Sequence, residues 1–595
     1  MDETGERKEG RGGDDDCTKD GSIDWLGRPS LKKKSGGWES GVLLLVNHGL
    51  SSLAFVGLEV NLVLFSTRVL KQTNADAANT FSRWMGSVQL FSLVGAFLSD
   101  SYWGRYMTCA VFQFVVILGL VMLSLITHFS LLTPHGCGKI GFLCDSHSLG
   151  ELVMFYLSIY LIALGNGGNE AALAAFGADQ FDEEDEEEKK SSVSFFSYFY
   201  VAVNLGSMFS ETVLAYFQNL GHWVLGFWVS TGSALIAFVL FLSGTARYRH
   251  FKPSGRNPVS RFSQVIVASF KKTKLEVPSN GETLYEVRGN TSSANGGRRI
   301  FHTEDFKFLD RAAIVTPEDI MLSKNQLPNP WHLCTVTQVE EVKCLLRLIP
   351  IWLCTVFYSL VYVQMSSLFI EQGASMKTTI GTFRIPPASM SVFDIVSIST
   401  FIIFYHKFIV PCCIKITKSK PKIPSELQRM GIGLFMAAVA MVFASIIEQQ
   451  RLKYANESGN GNELSSLSIF WQIPQYILIG ASEAFMYVAQ MQFFSEQTPD
   501  GLKSLGIALC MTSTSLGSYL CSFLLTAVMA ITTKNGKPGW VPPNLNDGHL
   551  DRFFILTAAL TVVNLVVYVL CAKRFKSILM EKRDADKEME EGPQR

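Results

Sequence analysis

Apolar runs about 20 residues long recur from residue 41 to residue 573, and nothing else in the chain restricts its fold so strongly. A bilayer core needs roughly 20 apolar residues per helix. In lipid only helices and closed barrels satisfy their own backbone polar groups. Such runs lie near 41–66, 84–100, 106–128, 150–176, 194–215 and 222–243, then near 344–369, 388–410, 428–448, 467–493, 504–531 and 552–573. They predict an all-α membrane protein with twelve transmembrane helices in two six-helix halves, 41–243 and 344–573. The second and fifth runs are short or rich in Ser and Tyr, so their boundaries are the weakest. Only 17% of residues are charged, against about 25% in soluble domains. The formal net charge of zero points to no nucleic-acid partner.

Residues 1–40 are polar with no apolar stretch, so they read as a cytoplasmic tail rather than a signal peptide. Residues 244–343 read as a central cytoplasmic loop and 574–595 as a second cytoplasmic tail. Within the central loop, 278–300 reads as disordered and 304–325 as an amphipathic helix bridging the halves. Lys and Arg cluster after the sixth run, between the eighth and ninth (Lys415, Lys418, Lys420, Lys422, Arg429) and after the twelfth (Lys573, Arg574). The positive-inside rule puts all three on the cytoplasmic side, with both termini. The opposite side then holds Cys137 and Cys144, a candidate disulfide, and the sequon at Asn456, a candidate glycosylation site. The other cysteines are scattered mostly through apolar runs, and no spacing suggests zinc or another metal. The acidic run Asp182 to Glu188 reads as a solvated charge run.

Between the second and third runs stands Gly95-Ala-Phe-Leu-Ser-Asp100-Ser-Tyr-Trp-Gly104-Arg105. It resembles the G-x-x-x-x-D-x-x-x-G-R loop of the major facilitator superfamily of secondary transporters. The resemblance implies that Asp100 and Arg105 form a cytoplasmic latch. Further on, Phe199-Tyr-Val-Ala-Val-Asn204-Leu-Gly206-Ser207 resembles the F-Y-x-x-I-N-x-G-S motif of proton-coupled oligopeptide transporters, and Phe176-Gly-Ala-Asp179-Gln180-Phe resembles their F-G-A-D-Q-F block. Arg347-Leu-Ile-Pro350, Ile385-Pro-Pro-Ala-Ser-Met390 and Gly480-Ala-Ser-Glu483 agree with these. Over about residues 21 to 575 the chain is similar to the plant nitrate transporter 1/peptide transporter family, most of all to the subfamily that moves nitrate into or out of the xylem. That resemblance implies a plasma-membrane carrier of nitrate and protons, without a cofactor. At Thr108 it implies a phosphorylation site, and so regulation by a kinase.

The departures from the family pattern bear on mechanism. The family's E-x-x-E-R motif is replaced, with His48, Ser51 and Ser52 at its charged positions. Its G-G-x-K-P becomes Gly167-Gly-Asn-Glu170-Ala171, so a Lys becomes Glu170. In the family that Lys faces the acid of the tenth run, here Glu483. Two close carboxylates would share a proton, so Glu170 and Glu483 are the first candidates for proton coupling. The rival reading turns Glu170 toward water or another helix. Glu59 lies eleven residues beyond His48, about three turns on, as a second candidate acid or an interfacial one. His48 titrates near neutrality when free, and is otherwise a packing residue. The resemblance places Tyr358, Tyr362 and Gln364 in the cavity wall, with His48 as a further solute contact.

With Ser52 and Glu170 at two positions that are cationic in relatives, a peptide carboxylate has no clamp. The expectation is therefore a transporter working by alternating access, most simply of nitrate, with low affinity and in either direction. Potassium/proton exchange, carriage of another small organic solute, and a non-transporting sensor are the alternatives. Nothing resembles an enzyme's triad, metal cluster or phosphate loop.

Overall fold

The computed structural model describes residues 18, 21–32, 34–132, 147–182, 185–251, 258–275, 284–286, 300, 302–316, 329–404, 425–457, 464–498 and 503–575, with a few side chains among them, including that of Asp100, outside the description. The chain forms an all-α bundle. The first half contains α1 (Gly37–Glu59, continued by Leu62–Arg68), α2 (Asn74–Leu98), α3 (Arg105–Ile126), α4 (Leu149–Ala178), α5 (Glu186–Phe209) and α6 (Trp223–Ser243). A linker helix, α7 (Pro258–Lys271), follows. The second half contains α8 (Val336–Met365), α9 (Val392–Phe404), α10 (Glu426–Glu457), α11 (Ile473–Glu496), α12 (Lys503–Thr532) and α13 (Leu550–Arg574). Nine helices among the described residues are long and apolar enough to cross a membrane; α2, α5 and α9 fall short of that measure.

Local chemistry sets several helix starts. Ser148 and Glu151 form a capping box at α4, Thr335 and Gln338 another at α8, and Thr73 accepts from the Asp76 amide at α2. Close packing relies on small residues, as expected where lipid supplies no hydrophobic drive between helices. A Cβ on Gly95 would lie 2.4 Å from Gly168 of α4, and one on Gly206 2.2 Å from the Gly49 carbonyl of α1. Gly104, at φ 74°, lets the chain turn from the π-helical Ser99–Trp103 into α3, a conformation that side chains with a Cβ rarely adopt.

The up-and-down order puts residues 37 and 574 at one end, here the near end. Hydrogen bonds between the halves, among the described residues, run only from mid-bundle to the far end. Ser515 donates to the Gly86 carbonyl at 2.7 Å, Ser87 meets the Tyr519 hydroxyl at 2.7 Å, and Arg83 donates to Ser522 at 3.0 Å. Asn79 reaches Thr526 and Asn74 reaches the carbonyls of Pro542 and Pro543. At the far rim Tyr216 stacks on Phe383, and Ser389 donates to the Glu211 carbonyl. The halves are closed at the far end, and nothing comparable joins them at the near end among the described residues.

Several expectations change. The helix expected at 84–100 begins ten residues earlier at Asn74, because Asn74, Asn79 and Ser82 are buried, the first two bonding the second half rather than facing lipid. The fifth begins at Glu186, with Asp185 as its cap, and passes through the π-helical turn Ser210–Leu214. The acidic run is not simply solvated. Asp182 is fully buried, Asp185 receives Lys32 at 2.6 Å, and Glu188 receives the buried Arg249 at 2.6 Å. The amphipathic linker helix is α7 at Pro258–Lys271, not 304–325; Lys307–Ala313 is a short 3-10 turn packed beneath it, and 317–325 lies outside the described residues. So do Cys137, Cys144, residues 1–17, most of 278–300, the basic segment 405–424 and residues 576–595. Asn456 is exposed in the last turn of α10.

Candidate functional site

Between the halves lies a cavity of about 220 Å³. Its wall carries His48, Ser51, Ser52 and Glu59 from α1, Gln89 from α2, Asn166, Asn169 and Glu170 from α4, and Ser207 from α5. The second half adds Tyr362 and Val363 from α8, Ser366 just beyond it, and Thr514 and Ser518 from α12. No Lys or Arg lines it among the described residues. The wall therefore offers hydroxyl and amide groups and two carboxylates.

The residues that replace the family's charged motif are accounted for individually. The Ser52 hydroxyl meets Ser207 at 3.0 Å and the Val203 carbonyl at 3.3 Å, so α1 and α5 are tied by neutral bonds. The His48 ring stacks on Phe199 with centroids 3.8 Å apart and stays almost buried, so it packs and lines the wall at once. Behind α4, Gln113 bridges Asn47 and Asn169, which holds Asn169 at the wall.

The acids pair differently from the expectation. Glu170 shares the cavity wall with Glu59, and the two lie near enough to act on each other electrostatically. Glu483 does not line the cavity. It sits behind Tyr362, whose hydroxyl faces its carboxyl, and its Oε2 has no partner among the described residues. The acid that acts on Glu483 is Asp394 of α9. Tyr487 lies between the two sets, under the influence of both Glu170 and Glu483. Of the expected solute contacts, Tyr362 and His48 reach the cavity. Tyr358 is buried beside Tyr362, and Gln364 turns its amide back to the Leu360 carbonyl at 3.1 Å.

At the near end Arg105 donates to Asp179 and to the Ala175 carbonyl of α4. Among the described residues its ion pair goes to the acid of the F-G-A-D-Q-F block; the side chain of Asp100, the other half of the expected latch, lies outside the described residues. Thr108 is fully buried and donates to the Gly104 carbonyl at 2.8 Å. A kinase has no access to that hydroxyl in this conformation. In the linker, His302, Asp310 and Glu340 converge. The Lys343 ammonium already fills their centre, 2.7 Å from Asp310 and 2.8 Å from Glu340.

A family model described as PTR2, POT family, matches residues 106–541. The chain belongs to the POT family. Protein NRT1/PTR family 7.3 of Arabidopsis thaliana is 56% identical over 591 residues, 99% of this chain and 95% of that one. Protein NRT1/PTR family 7.2 of the same plant is 54% identical, over 97% and 98% of the two chains. An auto-inhibited POT family peptide transporter superposes with a TM-score of 0.67 at 20% identity, covering 92% of this chain and 98% of that one. The POT family transporter PepTSo gives 0.65 at 21%, covering 90% and 98%. The POT protein described here is thus a membrane transporter with the major facilitator type of fold, not an enzyme.

Two buried acids, Glu211 and Asp394, escaped the sequence reading. Asp394 is an isolated acid in the apolar stretch Val392-Phe-Asp394-Ile-Val, and intramembrane acids read as functional by default. That signal was available. Glu211 follows the polar Asn204-Leu-Gly-Ser-Met-Phe-Ser210, where an acid does not stand out.

Proposed function

We propose that this POT protein carries nitrate across the plasma membrane by alternating access, with proton binding at Glu59 and Glu170 linked to the solute. The observation that carries this reading is the cavity of about 220 Å³ between the halves. It has room for a small ion and presents His48, Ser51, Asn166, Asn169, Tyr362 and Thr514 around it. With the carboxyls protonated, nitrate meets hydroxyl and amide donors without an opposing charge. With them ionised it is repelled, so each release of protons drives the anion out. A peptide lacks a cation to hold its carboxylate, because Ser52 and Glu170 occupy the two positions at which relatives supply one. Moving an anion inward against 100 mV costs about 2.3 kcal/mol, which favours low-affinity, bidirectional or outward transport. Both termini, α7 and the linker then lie in the cytoplasm, and Asn456 lies outside.

A second reading rests on the same two acids. Ionised, Glu59 and Glu170 make the cavity a cation site, and the protein would exchange potassium for protons. Nitrate and potassium flux at about pH 5.5 and about pH 7.4, for the native protein and Glu170→Gln, separates the two. Nitrate flux that falls as pH rises and loses its pH dependence in Glu170→Gln is the expected result. Potassium flux without nitrate flux overturns the first reading, and solute binding without any flux points to a sensor.

A further inference from the structure

The contact that closes the far end carries an acid from each half. Glu211 lies in the π-helical turn after α5, and Asp394 in the first turn of α9. The two elements touch directly, since Ser389, just before α9, donates to the backbone carbonyl of Glu211 itself at 2.5 Å. Glu211 is 9% exposed and Asp394 3%. Each has one carboxylate oxygen without a partner among the described residues, Oε2 of Glu211 and Oδ1 of Asp394. Tyr476 of α11 is wholly buried, its hydroxyl also has no partner, and it lies near enough to both acids to feel their charge. Gly480, one turn along α11, lets the helix approach so closely that a Cβ there would lie 2.8 Å from Asp394 Oδ1.

Among the described residues, the titratable groups acting on the two acids or acted on by them are acids and phenols. Asp394 is acted on by Glu211 and Glu483, and it acts in turn on Tyr200, Tyr358, Tyr362 and Tyr476. Glu211 is acted on by Glu59 and meets the hydroxyl of Ser391. Arg68 belongs to another set, with Glu371 and Arg384. Two ionised carboxylates at a buried seam repel, and among the described residues no Lys or Arg pairs with either. A single proton on either carboxyl removes that repulsion.

We propose that Glu211 and Asp394, with the buried Tyr476 nearby, form a second proton site, apart from the cavity acids, that must be occupied for the far end to close. The proposal rests on the alternating-access reading above. It adds that the proton is bound at the gate itself, so closure of the far end is tied to proton uptake there even with no solute present.

The test is hydrogen–deuterium exchange of the full chain in lipid nanodiscs without solute, read over 207–220 and 376–391 and corrected for intrinsic rates. At about pH 6 both segments are expected to be protected, and at about pH 8 to exchange at least about tenfold faster. Glu211→Gln and Asp394→Asn keep the shape and a hydrogen-bond donor, so each is expected to stay protected at both pH values. Glu211→Asp, which keeps an acid, retains the pH response. A native response that is absent, or that survives in both amide variants, overturns the site. Protection restored at about pH 8 by potassium chloride but not by choline chloride overturns the proton in favour of a metal cation. Loss of nitrate flux with the exchange response intact overturns the functional reading and leaves the gate site standing.

Discussion

Charges inside the body of each half differ from those on the seam between the halves. In the bodies and the linker, several buried charges among the described residues are matched. Arg451 holds Glu448 through two bonds of 2.9 and 2.7 Å and also reaches Asn546 and the Leu545 carbonyl. Lys343 holds Asp310 and Glu340, and Arg249 holds Glu188. On the seam, Glu211, Asp394 and Glu483 each keep an oxygen without a partner among the described residues, and Glu59 and Glu170 face the cavity. Matched charges hold one arrangement. Acids that no cation relieves are stable only with a proton or a solute cation, so their occupancy can choose between arrangements.

The largest effect should come from breaking a matched set. Lys343→Ala leaves buried Asp310 with His302 and buried Glu340 with Thr303 and the more distant Arg347, and removing one partner of a buried charge set costs up to about 3–5 kcal/mol. A large fall in melting temperature in detergent, with poor recovery of folded protein, is the expected result. Glu211→Gln and Asp394→Asn should leave melting unchanged or raise it, since they remove charges that nothing pairs. If the seam variants melt as low as Lys343→Ala, the distinction between the two regions fails.

A second effect sharpens the comparison by steric means. The first half is held by close backbone contacts such as Gly206 on the Gly49 carbonyl. Gly206→Val forces α1 and α5 apart, and overpacking of this kind costs about 1–3 kcal/mol. The same pair of helices carries Ser52 and Ser207 into the cavity, so solute flux should fall further than stability does. Melting and flux measured on one preparation check this. Equal melting with full flux would mean that the wall tolerates displacement.

Much of this was legible from residues alone, for definable reasons. Span number and order follow from apolar length, which is a local property. The family motifs place Tyr362 and Glu170 in the cavity wall, where the fold has them, because the backbone there is shared with relatives. What escaped depends on pairing through space. The polar start of α2 looks like a loop until Asn74 is seen bonding Pro542 and Pro543. The acidic run looks solvated until Lys32 and Arg249 arrive from distant segments. Glu170 was matched to Glu483 by family precedent, whereas in the fold Glu170 shares the cavity wall with Glu59, and Glu483 lies off that wall within electrostatic reach of Asp394. Spacing in a sequence does not encode which of several acids face one another across a seam.

The smallest effect concerns the strap that precedes α1. Residues 22–32 lie along His250 and the start of α5, through the Ile23–His250 backbone pair and the Lys32–Asp185 ion pair. The Lys32 ammonium and then the Glu187 and Glu188 amides hold the Asp185 carboxyl well below its ordinary value, at about 2. A depressed carboxyl contributes to docking above its unfolded pKa of about 3.9 and loses that contribution as pH falls through its folded value. Docking of the strap should therefore be constant from neutral pH down to about 4 and weaken between there and about 2. The pair is exposed to water, so salt should screen it. Lys32→Ala should raise hydrogen–deuterium exchange over 21–32 only a few-fold, about the scale of a surface pair, with no change over 376–391. An increase at both places would mean that the strap and the far seam are coupled, and that paired and unpaired charges do not divide the molecule as cleanly as its contacts do.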